Sequence, residues 1–227
     1  MRVLALISGG KDSMLALHEV AEEHEIAGLL GIVPEKADSY MFHSVNLHLL
    51  DAIADCLEIP ITKVKVSGVE EVEVRELAEQ IKGIDADALC IGGIESNYQK
   101  RRFERICEKT GMKLLAPLWK REVDKIMKKV VKEFETIIVS VSAMGLDESF
   151  LGRKIDEECF NALKKIHEKY KIHLAGEGGE YETLVLDAPL YKKRIKILRG
   201  KKVWDGVRGY YLVEDFSKIS KGLKRKI

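Results

Sequence analysis

The sequence predicts an α/β fold built on a parallel sheet, joined to a second, smaller mixed α/β domain. Three observations carry that prediction. Residues 1 to 117 alternate short apolar runs with amphipathic stretches of about 10 to 15 residues. The polar, glycine-containing stretch Ser8-Gly9-Gly10-Lys11-Asp12-Ser13 sits directly between the first apolar run and the first amphipathic stretch. Beyond Pro117 the pattern becomes less regular and, from Thr183 onward, strand-rich.

Taken in order, Val3-Leu4-Ala5-Leu6-Ile7 reads as a buried strand, and Met14, Leu17, Val20 and Ala21 recur at helical spacing. Gly28 to Val33 is a second buried strand, ended by Pro34. Val45, Leu49, Ala52, Ile53, Cys56 and Leu57 line one face of a second helix that Pro60 stops, and Ile61 to Val66 alternates as a strand does. Val74, Leu77, Ala78 and Ile81 mark a third helix. Ala88 to Ile91 is a fourth strand, ending in Gly92-Gly93. Phe103, Ile106 and Cys107 mark a fourth helix with Gly111 as its cap. In the second half, Val123 to Val131 and Cys159 to Ile166 have helical spacing, while Thr136 to Val141, Thr183 to Leu186, Arg194 to Leu198 and Val207 to Val213 read as strands. The domains are therefore expected at 1–117 and 118–227.

Composition narrows the class. Of 227 residues, 46% are hydrophobic and 33% charged, and no window approaches a membrane-spanning length of apolar residues, so a soluble cytoplasmic protein with no membrane partner is expected. The four cysteines, Cys56, Cys90, Cys107 and Cys159, are far apart and form no C-x-x-C pair, which fits buried thiols in a reducing compartment rather than a zinc site. Net charge is near −7 over the first 117 residues and +8 over the rest. The basic half suits either an anionic macromolecule or a solvated Lys/Glu surface, and a homo-oligomer is left open.

Two glycines after a strand let a ligand approach the backbone, and the helix that follows offers unpaired N–H groups and the positive end of its dipole, so Ser8 to Ser13 reads as a phosphate cradle. Neither the Walker A spacing nor G-x-G-x-x-G fits. In open parallel sheets ligands bind beyond the carboxyl ends of the strands. That rule brings the loop after the second strand, with His43, and the loop Gly92 to Gln99 toward the same crevice. Ser96 or Asn97 starts a helix whose first turn is cationic, Lys100-Arg101-Arg102, against the helix dipole, so an anionic group is expected nearby. Ser96, Tyr98 and Gln99 are candidate substrate contacts. Gly176 to Thr183 gathers three carboxylates and three glycines within eight residues. Such a cluster suits a metal, an ammonium or a trimethylammonium group, with Tyr181 as a cation–π face, or else it is an acidic hairpin loop.

The hexapeptide Ser8 to Ser13 matches the PP-loop signature SGGxDS, so residues 1 to about 117 resemble the ATP pyrophosphatases, which cleave ATP to AMP and pyrophosphate. That resemblance implies a sheet of the adenine nucleotide alpha hydrolase-like (HUP/PP-loop) type. It implies ATP bound by Ser8, Gly9, Gly10, Lys11, Asp12 and Ser13. The hydroxyls and amides would hold the β and γ phosphates and Lys11 would neutralise charge; Asp12 is the candidate Mg²⁺ contact, with helix capping as its alternative.

Ser8 to Ser13, Gly93 to Gln99, Pro117-Leu118-Trp119 and Glu177-Gly178-Gly179-Glu180-Tyr181-Glu182-Thr183, in that order, resemble the diphthine–ammonia ligase family over essentially the whole chain. The resemblance implies ATP-dependent amidation of diphthine on translation elongation factor 2 with ammonium, through an acyl-adenylate. Lys11, Asp12, Glu177 and Glu180 are then the catalytic candidates. His43, Ser96, Tyr98, Gln99 and the segment Glu177, Gly178, Gly179, Glu180, Tyr181, Glu182 and Thr183 are the substrate-binding candidates. Among the carboxylates Glu177 and Glu180 come first and Glu182 next. A PP-loop enzyme acting on transfer RNA or another carboxylate, and a non-catalytic ATP-sensing module, are the alternatives; no nucleic-acid partner is expected on the first reading.

Overall fold

The computed structural model describes residues 1–34, 45–69 and 71–221. Along the chain run β1 (Arg2–Ile7), α1 (Lys11–Ala21), β2 (Glu25–Pro34), α2 (Leu50–Leu57), β3 (Ile61–Val66), α3 (Val72–Ile81), β4 (Ala88–Cys90), α4 (Asn97–Thr110) and β5 (Lys113–Leu115). They are followed by α5 (Val123–Glu133), β6 (Glu135–Val141), α6 (Glu157–Tyr170), β7 (Tyr181–Asp187), β8 (Lys193–Trp204) and β9 (Gly209–Ser220).

The first five strands form a parallel sheet in the order β3-β2-β1-β4-β5. The chain moves outward from β1 through β2 to β3, then returns to lay β4 on the other side of β1. The order therefore reverses between β1 and β4, and beyond their carboxyl ends the connecting loops must diverge and leave a crevice. Side chains of β1 alternate between the two faces, as the period of a strand requires. Val3, Ala5 and Ile7 join α1 and α2 in one core, whereas Leu4 packs with α3 and α4 in another. This is the parallel α/β layer that the sequence predicts.

The remaining strands form an antiparallel sheet, β7-β6-β9-β8. Its inner residues, among them Val139, Val141, Leu184 and Leu186, belong to the same core as Val3, Ala5 and the buried face of α1. One apolar body thus welds the second sheet to the α1 side of the first, and this fixes β7 against the loop that precedes α1.

Some elements depart from the sequence reading. β5 has only three residues, too short to carry a periodic signal. Helix α1 begins at Lys11, before its first core residue Met14. β8 and β9 run for 12 residues each as a hairpin with largely exposed side chains, so apolar alternation marks only parts of them. α4 ends as expected on Gly111, in the left-handed region at φ 76°. The four cysteines are buried and free, and burial pushes the thiols up, Cys90 to about 12 and Cys107 and Cys159 to about 11. Among the described residues no helix is long and apolar enough to cross a membrane.

Candidate active site

A cavity of about 1100 Å³, counting the part open to solvent, lies beyond the carboxyl ends of β1, β2 and β4. Leu6, Ile32, Ile91 and Phe103 make part of its wall apolar; Ser8, Asp12, Ser13, Glu177 and Glu182 make the rest polar. That mixture suits a ligand with one flat apolar end and one charged end.

The loop after β1 is tightly wound. Gly9 has φ 82°, and its carbonyl accepts the Val185 N–H at 2.9 Å. Ser8 Oγ accepts the Gly10 N–H at 3.3 Å. Ser13 Oγ accepts the Ser8 N–H at 3.2 Å and donates to the Gly10 carbonyl at 3.0 Å. Close approach from β4 sets its outer limit: a Cβ on Gly92 would lie 2.6 Å from Ser13 N and 2.7 Å from the Asp12 carbonyl carbon. Both contacts are with backbone, so only glycine fits there. Sequence reading saw Gly92 only as the end of a strand; its reason is this contact.

Lys11 is 2% exposed. Its Nζ donates to Asp12 Oδ2 at 2.8 Å and to the Ala175 carbonyl at 2.5 Å, and lies 5.3 Å from the centre of the Tyr181 ring. The two charged residues of the loop, given separate roles by the sequence, thus form one ion pair. The capping alternative for Asp12 is corrected: Gly10 occupies the N-cap with no side-chain cap, and Asp12 lies inside the first turn. Tyr181 also needs correction as an open cation–π face. It is 2% exposed because it points into the core, and its hydroxyl donates to the Leu174 carbonyl at 2.7 Å; the cation at its ring is Lys11. Burial raises its pKa well above the usual phenol value.

The acidic segment divides into three roles. Glu177 Oε1 accepts the N–H groups of Ile94, Glu95 and Ser96 at 3.0, 3.1 and 3.1 Å. Three consecutive amides at the start of α4 form an anion-binding nest for this side chain, whereas the cationic turn itself meets other carboxylates, Arg102 pairing with Glu71 at 2.7 Å and Lys100 with Glu104 at 3.2 Å. Glu180 turns elsewhere: its Oε1 accepts the His173 N–H at 2.6 Å and its carbonyl accepts the Ser142 N–H at 2.9 Å. Glu182, paired with Ser140 across the β6–β7 ladder, lines the cavity. Thr183 Oγ1 accepts the Lys11 N–H at 3.0 Å, which satisfies one of the orphan amides at the start of α1. Gly176 and Gly179 take positive φ, 72° and 83°, to make the turn before β7.

Of the remaining sequence candidates, Gln99 lines the cavity. Ser96 instead caps α4, its Oγ accepting the Gln99 N–H at 3.3 Å. Tyr98 is outside the cavity lining and packs under Arg102, with the guanidinium carbon 3.2 Å from the ring centre. Gly9, Gly178, Gly179 and Glu180 also lie outside that lining, and His43 lies outside the described residues. Sequence reasoning missed Leu6, Ile32, Ile91 and Phe103 as cavity wall, because their apolar character reads equally well as core. It also missed His173, a lone histidine with no motif around it, whose Nδ1 accepts the N–H groups of Ala175 and Glu177 at 3.2 Å each. Among the described residues no three His, Cys, Asp or Glu side chains gather to hold a metal.

Comparison with known proteins agrees with this geometry. Residues 1–114 match the family model of the diphthamide synthase N-terminal domain, and residues 122–219 match that of the C-terminal domain. The chain belongs to the diphthamide synthase family. Within that family, the diphthine–ammonia ligase of Schizosaccharomyces pombe is 37% identical over 225 residues, which is 89% of this chain and 37% of that longer protein. The diphthine–ammonia ligase of Rattus norvegicus is 35% identical over 223 residues, 87% of this chain and 83% of its own length. The solved structure of a tRNA methyltransferase subunit from Methanocaldococcus jannaschii aligns at 14% identity with a TM-score of 0.48, over 83% of this chain and 98% of its own. That likeness carries no functional information.

Proposed function

We propose that the protein is an AMP-forming ligase that amidates the carboxylate of diphthine, on translation elongation factor 2, with ammonium and ATP in the cytoplasm. One observation supports this above the others. The two motifs, more than half the chain apart, are bonded to each other at Lys11–Thr183 and Gly9–Val185 and face one cavity. A nucleotide-sensing module needs the first motif and has no use for the second.

A carboxylate is a poor electrophile, and adenylation makes it a good one. A carboxylate oxygen of the substrate attacks the α phosphorus of ATP, and the bond to the β-phosphate oxygen breaks, sending its electron pair out with pyrophosphate. Ammonium gives up a proton to solvent, the resulting ammonia attacks the acyl carbon and sheds a second proton, and AMP leaves, carrying the former carboxylate oxygen. Ser8, Ser13 and the amino end of α1 line the cavity; there they would meet the charge that develops on pyrophosphate with fixed dipoles that need no reorganisation. Asp12 is the carboxylate of the loop that suits Mg²⁺, which takes few protein ligands alongside phosphate oxygens and water and would supply charge neutralisation on the phosphates. The apolar residues Leu6, Ile32, Ile91 and Phe103 suit the adenine ring.

Glu182 takes the role that the sequence gave first to Glu177 and Glu180. Glu177 spends one oxygen on three amides and Glu180 lies outside the cavity lining, whereas Glu182 reaches it from a strand. As the carboxylate that lines the cavity from β7, it is the one that would meet ammonium or the trimethylammonium of the substrate.

The test is to incubate the protein with ATP, Mg²⁺ and ammonium, with and without diphthine-bearing elongation factor 2. AMP, together with the mass change of a carboxyl OH exchanged for NH2 on the factor, is expected. ADP instead of AMP would overturn the adenylation step; AMP with an unchanged factor would overturn the substrate.

A further inference from the structure

Outside both motifs, one side chain reaches each of them through the backbone. His173 lies between α6 and the turn before β7, its side chain 22% exposed. Nδ1 accepts two amides, those of Ala175 and Glu177. A nitrogen that accepts carries no proton, so the neutral ring holds its proton on Nε2, which faces Glu95 Oε2 at 3.6 Å. The main-chain N–H of the same residue donates to Glu180 Oε1.

What those two amides belong to matters. The carbonyl of Ala175 receives Lys11 Nζ, and the carboxylate of Glu177 receives the three amides of the loop after β4. A short path therefore runs from the His173 ring to the buried ion pair of the phosphate loop, and another to the start of α4. His173 is itself outside the cavity lining, so it acts through these groups rather than on a ligand.

We propose that His173 is a positioning residue: a neutral ring, protonated on Nε2, whose Nδ1 holds the Ala175–Glu177 turn so that Lys11 meets the Ala175 carbonyl and Glu177 meets the amides of the loop after β4. The proposal rests on the ligase reading only for what those positioned groups then do. Acceptance from the residue two positions ahead is the pattern an Asn side chain makes in an Asx-turn, with its oxygen where Nδ1 stands; His173 also takes the amide four positions ahead. Gln places its oxygen a bond too far, and Ala has none. Protonation of Nδ1 would replace two accepted hydrogen bonds with two N–H groups facing a third; the charged group that faces the ring, at Nε2, is Glu95.

Two measurements decide it. In the full-length ¹⁵N-labelled protein at neutral pH, the imidazole shifts should show Nδ1 unprotonated and Nε2 protonated. A proton on Nδ1 overturns the proposal whatever reaction the protein catalyses. For AMP formation, His173→Asn should keep kcat within about 3-fold, while His173→Gln and His173→Ala lose about 10- to 100-fold, with the KM for ATP moving less than about 3-fold. A fold-stabilising role alone would instead lower melting temperature and leave the kcat of the folded fraction intact. An Asn variant as poor as Ala, or an Ala variant as fast as the parent, overturns the proposal. A parent protein that forms no AMP overturns the ligase reading, and the imidazole shifts then judge the positioning role by themselves.

Discussion

The loop before α1 and the turn before β7 are both glycine-rich and polar, yet they use their polar groups in opposite ways. In the loop, the Ser8 and Ser13 hydroxyls lie side by side, 3.3 Å apart, on the cavity wall. In the turn, the first two carboxylates serve as acceptors for backbone amides, Glu177 for three while it also lines the cavity, and Glu180 for one. A cluster of acids in a sequence looks like an open binding site. Here much of it is a strut, and the charge is absorbed by orphan amides at the start of another helix. The lesson is that a charged motif must be read together with the unpaired donors elsewhere in the fold.

The largest test of that contrast is Asp12→Ala, which should abolish pyrophosphate release, a loss of about 10³-fold or more, because it removes the loop's only carboxylate and takes that ion-pair partner from the buried Lys11. Steady-state AMP formation checks it; a loss below tenfold would place the loop's chemistry elsewhere. Next comes Glu182→Gln, which should slow amidation by about 10- to 100-fold with ATP binding largely intact. Glu177→Gln retains an acceptor oxygen for the three amides and should be milder on amidation than Glu182→Gln. The reverse order in a parallel assay would break the distinction between strut and site.

Smaller effects concern stability. Gly92→Ala drives a Cβ into the Asp12–Ser13 backbone and should cost about 1–3 kcal/mol, read from denaturant midpoints. Glu177→Ala strands three amides and should cost a similar ~1–3 kcal/mol by the same measurement. The smallest effect is that of pH on His18, which ties α1 to the segment after β7: Nδ1 donates to the Met14 carbonyl at 2.6 Å and Nε2 accepts the Leu190 N–H at 3.1 Å. Burial lowers its pKa to about 4 in the fold, with the Lys129 and Lys221 charges adding to the effect. The unfolded chain therefore binds this proton more readily. Stability is full above the ordinary histidine range and falls as acid is added, by about 1 kcal/mol between roughly pH 6.5 and 5.5. His18→Gln should flatten that part of the urea-melt profile; an unchanged slope would contradict the burial account.

The parallel sheet and the phosphate loop were legible because their signals are local: an apolar run, two glycines and an amphipathic helix lie within 21 residues of the amino end. The start of α4 was legible for the same reason, since Ser96 caps three residues ahead. Its positive charge called for an anion, which Glu71 and Glu104 supply, but nothing local could name Glu177, 81 residues ahead of Ser96, as the acceptor of the amides there. Lys11 meeting Ala175 is likewise a product of packing, with β7 brought to α1 by a core shared between the two sheets. Tyr181 misled because a tyrosine beside three acids suggests a surface, while strand alternation turned its ring inward. β5 and His173 were silent, one too short and the other too isolated.

The central claim is that the two motifs bound one adenylation chamber. Its most direct measurement uses diphthine-bearing elongation factor 2 with ¹⁸O in the diphthine carboxylate, turned over with ATP, Mg²⁺ and ammonium, followed by mass analysis of the AMP. One ¹⁸O in the AMP phosphate is the predicted result, because the carboxylate oxygen leaves with the α phosphorus. AMP formed with no label, while the factor is amidated, would contradict the acyl-adenylate and with it this account of the chamber.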